Sequence, residues 1–195
     1  DYIGPYRILR LIDRGGQANV HLGYDTRLKR QVAIKIQRMP GARAARRRVM
    51  REARLVAAME CPKVVPVYDV IASSNYLAMV MEYVPGCSLE DLLQSVRPSL
   101  PSVMSVGTDI AGALAAVRDH HVVHGAAKAA NELIVCVGRA RLAGFGIARH
   151  LERAVGGGRA GSLEALSPEQ LAGQPVGERA DLFAHGAPFY RMMPG

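Results

Sequence analysis

Apolar residues change their spacing along this chain, from every second position to every third or fourth, and that change limits the folds open to it. Residues 6 to 37 carry short alternating apolar runs, broken at Gly15-Gly16 and again between Asp25 and Arg30. Alternation of period two marks strands with one buried face, so three antiparallel strands are expected, the first two joined by a glycine turn. In the third, Val32, Ile34 and Ile36 fall on one face and Ala33 and Lys35 on the other. From Ala42 to Met59 the spacing turns helical, with Val49, Glu52, Val56 and Met59 three, four and three apart. Two further apolar runs, Val64 to Ile71 and Tyr76 to Met81, with Ser73-Ser74-Asn75 as the turn between them, complete a five-stranded antiparallel sheet. Beyond the linker Tyr83-Val84-Pro85-Gly86 the pattern is helical again, and Val103, Val106, Ile110, Leu114 and Val117 form a stripe on one long helix. The expected class is α+β: a β-rich lobe over residues 1–82, a connecting segment at 83–87 and a helical lobe over 88–195.

A carboxylate inside an apolar helical stripe is costly to bury unless a cation meets it. Glu52 therefore implies a partner pointing inward from the sheet, and Lys35, which shares its strand face with the small Ala33, is the natural candidate. The alternative is a Glu52 that reaches the helix edge, stays hydrated and pairs with a neighbouring arginine. Arg47, Arg51 and Arg54 share another face of that helix, and Arg43, Arg46 and Arg48 extend the cluster. Such a run is a solvated face or a docking surface for an acidic or phosphorylated protein partner.

With 195 residues and 49% hydrophobic composition, the chain can bury one good core or two small lobes. A net charge of +8 permits attraction to phosphates or acidic partners. Nucleic acid is not the expected partner, because its binders add stacking aromatics and here aromatics are 5% with no Trp. Cys61, Cys87 and Cys136 are far apart, odd in number and without metal-ligand spacing, which fits a reducing, cytoplasmic setting in which they serve as small buried apolar residues. No apolar stretch approaches the roughly 20 residues that span a bilayer, so no membrane segment is expected, and the start Asp1-Tyr2-Ile3-Gly4-Pro5 is not a signal peptide.

Several short motifs follow one another in a fixed order: Gly15-Gly16-Gln17-Ala18-Asn19-Val20, Val32-Ala33-Ile34-Lys35, Glu52, Met81-Glu82-Tyr83-Val84-Pro85-Gly86, His124 with Lys128 and Asn131, Phe145-Gly146, Ser167-Pro168-Glu169 and Asp181. In this order and approximate spacing the chain resembles the eukaryotic-type serine/threonine protein kinases common in bacteria, from Tyr6 to its last residue. The resemblance implies a two-lobed fold, with the helix that carries Glu52 beside the sheet. It makes Lys35 the contact to the α- and β-phosphates of ATP and Glu52 the residue that positions it. Gly15 and Gly16 belong to the phosphate-covering loop. Val20, Ala33 and Leu133 match the positions that sandwich adenine, Met81 the gatekeeper, and Glu82 and Val84 the hinge. Val67, Val56, Phe145 and His124 match side chains that stack in active kinases. Lys128 and Asn131 match the residues that hold the transferring phosphate and one metal ion, and Asp181 the one that braces the catalytic-loop backbone.

The same resemblance exposes departures. Ala126 and Gly144 stand where the family carries two aspartates, one orienting the attacking hydroxyl and accepting its proton, the other holding magnesium against the phosphates. Alanine and glycine do neither, and losing a general base alone costs about 10²–10⁴ in rate. Asp13 stands at the first glycine position of the phosphate loop, where a carboxylate repels phosphate, and Ala18 at the third. Gly125 replaces the arginine that pairs with a phosphorylated activation loop, and from Gly144 to Glu169 the only hydroxyl residues are Ser162 and Ser167. Glu178 to Met193 resembles the central helix of the large lobe, and the family's later helices do not follow it in this sequence. Apolar surface at Leu182, Phe183, Phe189 and Met192 is then expected to face water, Glu169 to lack its arginine partner, and Pro188 to cost about 3 kcal/mol if the helix runs through it. The reading is a degenerate, C-terminally truncated kinase-family domain, a pseudokinase that binds ATP weakly with little or no magnesium and acts through protein contacts. An active kinase using another acid such as Glu132 or Asp119, or a nucleotide-independent basic binding module, are the alternatives.

Overall fold

The computed structural model describes residues 1–15, 18–38, 43–125, 127–136, 138–145, 166–174 and 177–193, with the backbone alone at 43–46, 48, 52 and 136. Two compact units emerge: one contains Asp1–Ala58 and Pro66–Val84, the other Met59–Val65, Pro85–Gly146 and Gly161–Gly195.

The first unit is a sheet of strands β1 (Tyr2–Ile3), β2 (Tyr6–Arg14), β3 (Ala18–Asp25), β4 (Arg30–Arg38), β5 (Val67–Ala72) and β6 (Tyr76–Glu82) with helix α1 (Arg43–Ala57). The order is β1-β2-β3-β4-β6-β5, every neighbouring pair antiparallel. Among the described residues the sheet has six strands rather than the expected five. The addition, β1, is two residues long and too short to show alternation; Gly4, at φ +55°, turns the chain so that Ile3 pairs with Tyr6. Val32 and Ile34 are fully buried with Ala78 and Val80, and Ile36 packs against them, as period two requires. Between β3 and β4 the buried Asp25 carboxylate accepts the Arg27 and Leu28 amides at 3.0 and 3.2 Å, closing the turn with its own side chain. The β5–β6 turn falls at the expected serines, with Ser73 N donating to Tyr76 O at 2.9 Å. On α1, Val49, Ala53 and Val56 are buried while Arg47, Arg51 and Arg54 are exposed.

One boundary differs from expectation. Val64 and Val65 read as the start of a strand of this sheet, but they are buried in the other unit, where Val65 N donates to Leu142 O at 2.9 Å and Leu142 N to Lys63 O at 2.8 Å. Apolar alternation reports a buried face and not which edge the backbone pairs with, so the segment 59–65 could not be assigned from its pattern.

The second unit contains strands β7 (Cys87–Ser88), β8 (Glu132–Cys136) and β9 (Arg139–Leu142) in one antiparallel sheet, and helices α2 (Leu89–Ser95), α3 (Leu100–Asp119), α4 (Pro168–Leu171) and α5 (Glu178–Met192). Ser88 caps α2 through a reciprocal pair, its hydroxyl accepting the Asp91 amide at 3.1 Å while Asp91 accepts the Ser88 amide at 3.3 Å. All five stripe residues of α3 are buried, and the helix packs against β9 and α5. At 20 residues α3 is long and apolar enough to cross a membrane by length and composition alone, which corrects the expectation that no apolar stretch reaches that length. Its apolar face lies within the unit, as a core helix requires.

Helix α5 does run through Pro188, so the carbonyl four residues earlier lacks its helical donor. Leu182 and Phe183 are exposed as expected, but Met192 is buried and Phe189 is half-buried, its ring lying over Gly107 of α3, where a Cβ would come within 2.8 Å of it. Tyr190 takes the exposed place instead.

Candidate functional site

The second unit assembles the segment between α3 and β9 around a buried carboxylate. Asp181, in the first turn of α5, accepts the backbone amides of His124 and Gly125, both at 2.7 Å. Bonds this short to an ionised acceptor are strong, and an acid in a first turn is favoured by the helix dipole. Gly125 adopts φ +70°, a conformation that strains any residue with a Cβ. The buried His124 ring bonds through Nε2 to the Ala143 carbonyl at 3.1 Å and stacks on Phe145 with centroids 4.5 Å apart. The ends of the segment are therefore fixed from both sides, and Lys128 follows in extended backbone, half-buried, capping the 3₁₀ turn Ala129–Asn131. Ala126 lies outside the described residues.

Asn131 leads into β8, and Ala143 N donates to its carbonyl at 2.8 Å. This brings Gly144 beside the Asn131 side chain. Gly144 has φ +75°, and a Cβ built on it would meet the Asn131 carboxamide, 2.7 Å from Cγ. The amide thus occupies the volume into which a side chain at 144 would project. Magnesium takes oxygen ligands in near-octahedral geometry, held mainly by carboxylates. Here Asn131 offers one neutral oxygen, and among the described residues no three His, Cys, Asp or Glu side chains are grouped to hold a metal ion. These residues do not fit a two-ligand magnesium site.

Glu132, adjacent in sequence, does not fill the gap. It is fully buried and its Oε1 bonds His185 Nδ1 of α5 at 3.0 Å. Its carboxylate is thereby engaged on the α5 side of the unit. Asp119 stands exposed at the end of α3 beside Arg118, 3.5 Å away.

In the first unit, strand register collects the nucleotide-side candidates on one sheet face. Val20 pairs with Lys35 and Lys35 with Met79; Ala33 pairs with Met81. Directly opposed residues project to the same side, so Val20, Ala33, Lys35 and Met81 share the face opposite Val32 and Ile34. Met81 and Ala33 are buried, Lys35 is half-buried. Glu82, half-buried, donates its amide to Pro66 O at 3.0 Å, and Val84 is buried. Gly15 N donates to Ala18 O at 3.0 Å, and a Cβ at 15 would lie 3.0 Å from that oxygen, a close contact. Asp13, opposite Val20, is exposed. Leu133 lies half-buried on β8 of the other unit. Gly16 and the Glu52 side chain, with its expected Lys35 pairing, lie outside the described residues.

The family model for the protein kinase domain matches residues 6–195. The chain belongs to the serine/threonine protein kinase family. It is 34% identical over 198 residues to the serine/threonine-protein kinase PrkC of Bacillus subtilis, covering 98% of this chain and 31% of that protein. It is 36% identical over 203 residues to pkn2 of Myxococcus xanthus, covering 98% and 24%, and 32% identical over 204 residues to PknB of Mycobacterium tuberculosis, covering 97% and 32%. The chain thus spans a third or less of the length of these relatives. Members of this family use ATP and magnesium and act on proteins.

Reasoning from residue patterns missed Asp109 and the Glu132–His185 pair. Asp109 sits between Val106 and Ile110 in the apolar stripe of α3, the same signal that marked Glu52, and it is 5% exposed. Arg139 Nε bonds it at 2.8 Å and Lys63 Nζ lies 3.3 Å away. Burial pushes its pKa up, but the hydrogen bonds from Arg139, Ala140 N and Lys63 outweigh it and hold the carboxyl below its ordinary value.

Proposed function

We propose that this chain is a catalytically impaired kinase-family domain, a pseudokinase that binds ATP weakly, gains little from magnesium and acts through contacts with other proteins in a reducing, cytoplasmic setting. The observation that carries this reading is the packing of Asn131 against Gly144, a residue whose place leaves no carboxylate to hold a metal ion. Ala126 supports it, since a methyl group takes no proton from an attacking hydroxyl. The intact parts support a retained scaffold: the Asp181 brace, the His124–Phe145 stack and the shared face of Val20, Ala33, Lys35 and Met81. Exposed Arg47, Arg51 and Arg54 on α1 supply a positive surface suited to an acidic or phosphorylated partner.

The test is phosphate transfer from radiolabelled ATP, with magnesium, to the chain itself and to a generic basic protein. Background incorporation is expected. Incorporation that disappears on Lys35→Met would overturn the reading in favour of an active enzyme with an unconventional acid.

A further inference from the structure

Which face of α5 points inward is not decided by apolar burial. Its buried residues include the small Ala180 and Ala184 with Pro188 and Met192, while Leu182, Phe183 and Tyr190 stand exposed. Turned about its axis, the helix would cover larger apolar side chains than Ala180 and Ala184, so hydrophobic gain alone does not select the observed seat. Two polar side chains oppose that turn. Asp181 and His185 are also buried, four residues apart and therefore on one face.

Both reach the same stretch of chain, at opposite ends. Asp181 accepts the His124 and Gly125 amides at 2.7 Å, and His185 Nδ1 lies 3.0 Å from Glu132 Oε1. Between those ends run Lys128 and the 3₁₀ turn Ala129–Asn131. Glu132 depends on its contact with α5: it is fully buried, and its second oxygen, Oε2, meets no hydrogen-bond partner among the described residues. A buried carboxylate that loses its partner is strongly penalised. Rotating α5 by one residue step, about 100°, would carry His185 off Glu132 and Asp181 off the two amides together. Phe189, one turn beyond His185 with ring centroids 6.1 Å apart, continues this face onto Gly107 of α3.

We propose that Glu132 and His185 are a positioning pair: they set the rotational seat of α5 and so hold Asp181 in reach of the His124 and Gly125 amides. Fixing a register is the best-attested use of a polar pair inside a core. The inference goes beyond the kinase reading and does not depend on it, since it concerns how the segment 124–132 is held whether or not phosphate is transferred.

Amide hydrogen exchange followed by NMR on the whole chain tests it, with Glu132→Leu, His185→Leu and Glu132→Gln. Glu132→Leu removes the carboxylate and leaves no buried charge alone, while Glu132→Gln keeps an oxygen that accepts from Nδ1. In each Leu variant, protection of the His124 and Gly125 amides should fall at least tenfold more than that of the Ile110 and Leu114 amides of α3. Glu132→Gln should stay within threefold of the parent at all four. A pair that only stabilised the unit would, when removed, expose all four amides alike. If one Leu variant fails to fold, the other is read for the same split. The proposal is overturned if His124 and Gly125 keep their protection, if protection falls equally in α3, if Glu132→Gln loses it as Glu132→Leu does, or if neither Leu variant folds, since the pair would then be holding up the whole unit and not one seat.

Discussion

At the scale of single residues, the proposed impairment rests on two positions, Ala126 and Gly144. Gly144 holds φ +75° with the Asn131 amide in the place of a side chain, so returning an acid there displaces that amide and places a Cβ in left-handed backbone. Aspartate tolerates this conformation better than most residues, and Asn131 can give way because the contact is to the end of its side chain. Gly144→Ala should therefore destabilise the chain by about 1–2 kcal/mol in urea unfolding. Ala126→Asp with Gly144→Asp should restore phosphotransfer, with either change alone restoring little, since base and metal ligand act as a unit. A double variant that folds and binds ATP yet transfers no phosphate would show that the two aspartates are not the main defect. Asp109 gives a pH-dependent prediction. Its folded pKa is depressed below the ordinary value of 3.8, so the stability it contributes is complete above that value and is lost as pH falls through the folded pKa. Urea midpoints of Asp109→Asn should lie below the parent at pH 7 and approach it as pH drops below 3.8; a constant gap would refute the ion cluster.

At the scale of elements, α5 carries both the brace and a flaw. Its first turn presents Asp181 to the His124 and Gly125 amides, while Pro188 interrupts its own hydrogen-bond ladder two turns on. A proline inside a helix costs about 3 kcal/mol, offset in part by the burial of its ring. Pro188→Ala should raise stability by about 1–2 kcal/mol, read as a higher urea midpoint with an unchanged slope. A loss would mean that packing of the ring outweighs the missing bond. Helix α3 shows a different balance: its apolarity would suit a membrane by length alone, yet Asp109 within its stripe is met by Arg139 and Lys63, cations supplied by other segments of the same unit.

At the scale of the whole molecule, the nucleotide tests the proposed loss of the metal site. If ATP binds through Lys35 and the apolar positions of the sheet, it stabilises the folded state by mass action, and adding magnesium should change the thermal midpoint by less than about 1 °C. A magnesium-dependent rise of several degrees would contradict the impaired site, and no shift with ATP under any condition would favour a nucleotide-independent binding module. The pattern of the chain determined much of this by itself. Period two placed Val32, Ile34 and Ile36 on the core face of β4, helical spacing placed Val49 and Val56 inside and Arg47, Arg51 and Arg54 outside, and the ordered motifs pointed to Asp181 as the brace. These features are local or repeat along one element, so spacing carries them. Tertiary structure decided the rest: that Val64 and Val65 pair with Leu142 and not with the sheet, that Phe189 covers Gly107, that Glu132 turns to His185, and that Asn131 fills the space beside Gly144. Each depends on contacts between segments distant in sequence or on backbone direction at one residue, and hydrophobic periodicity carries neither.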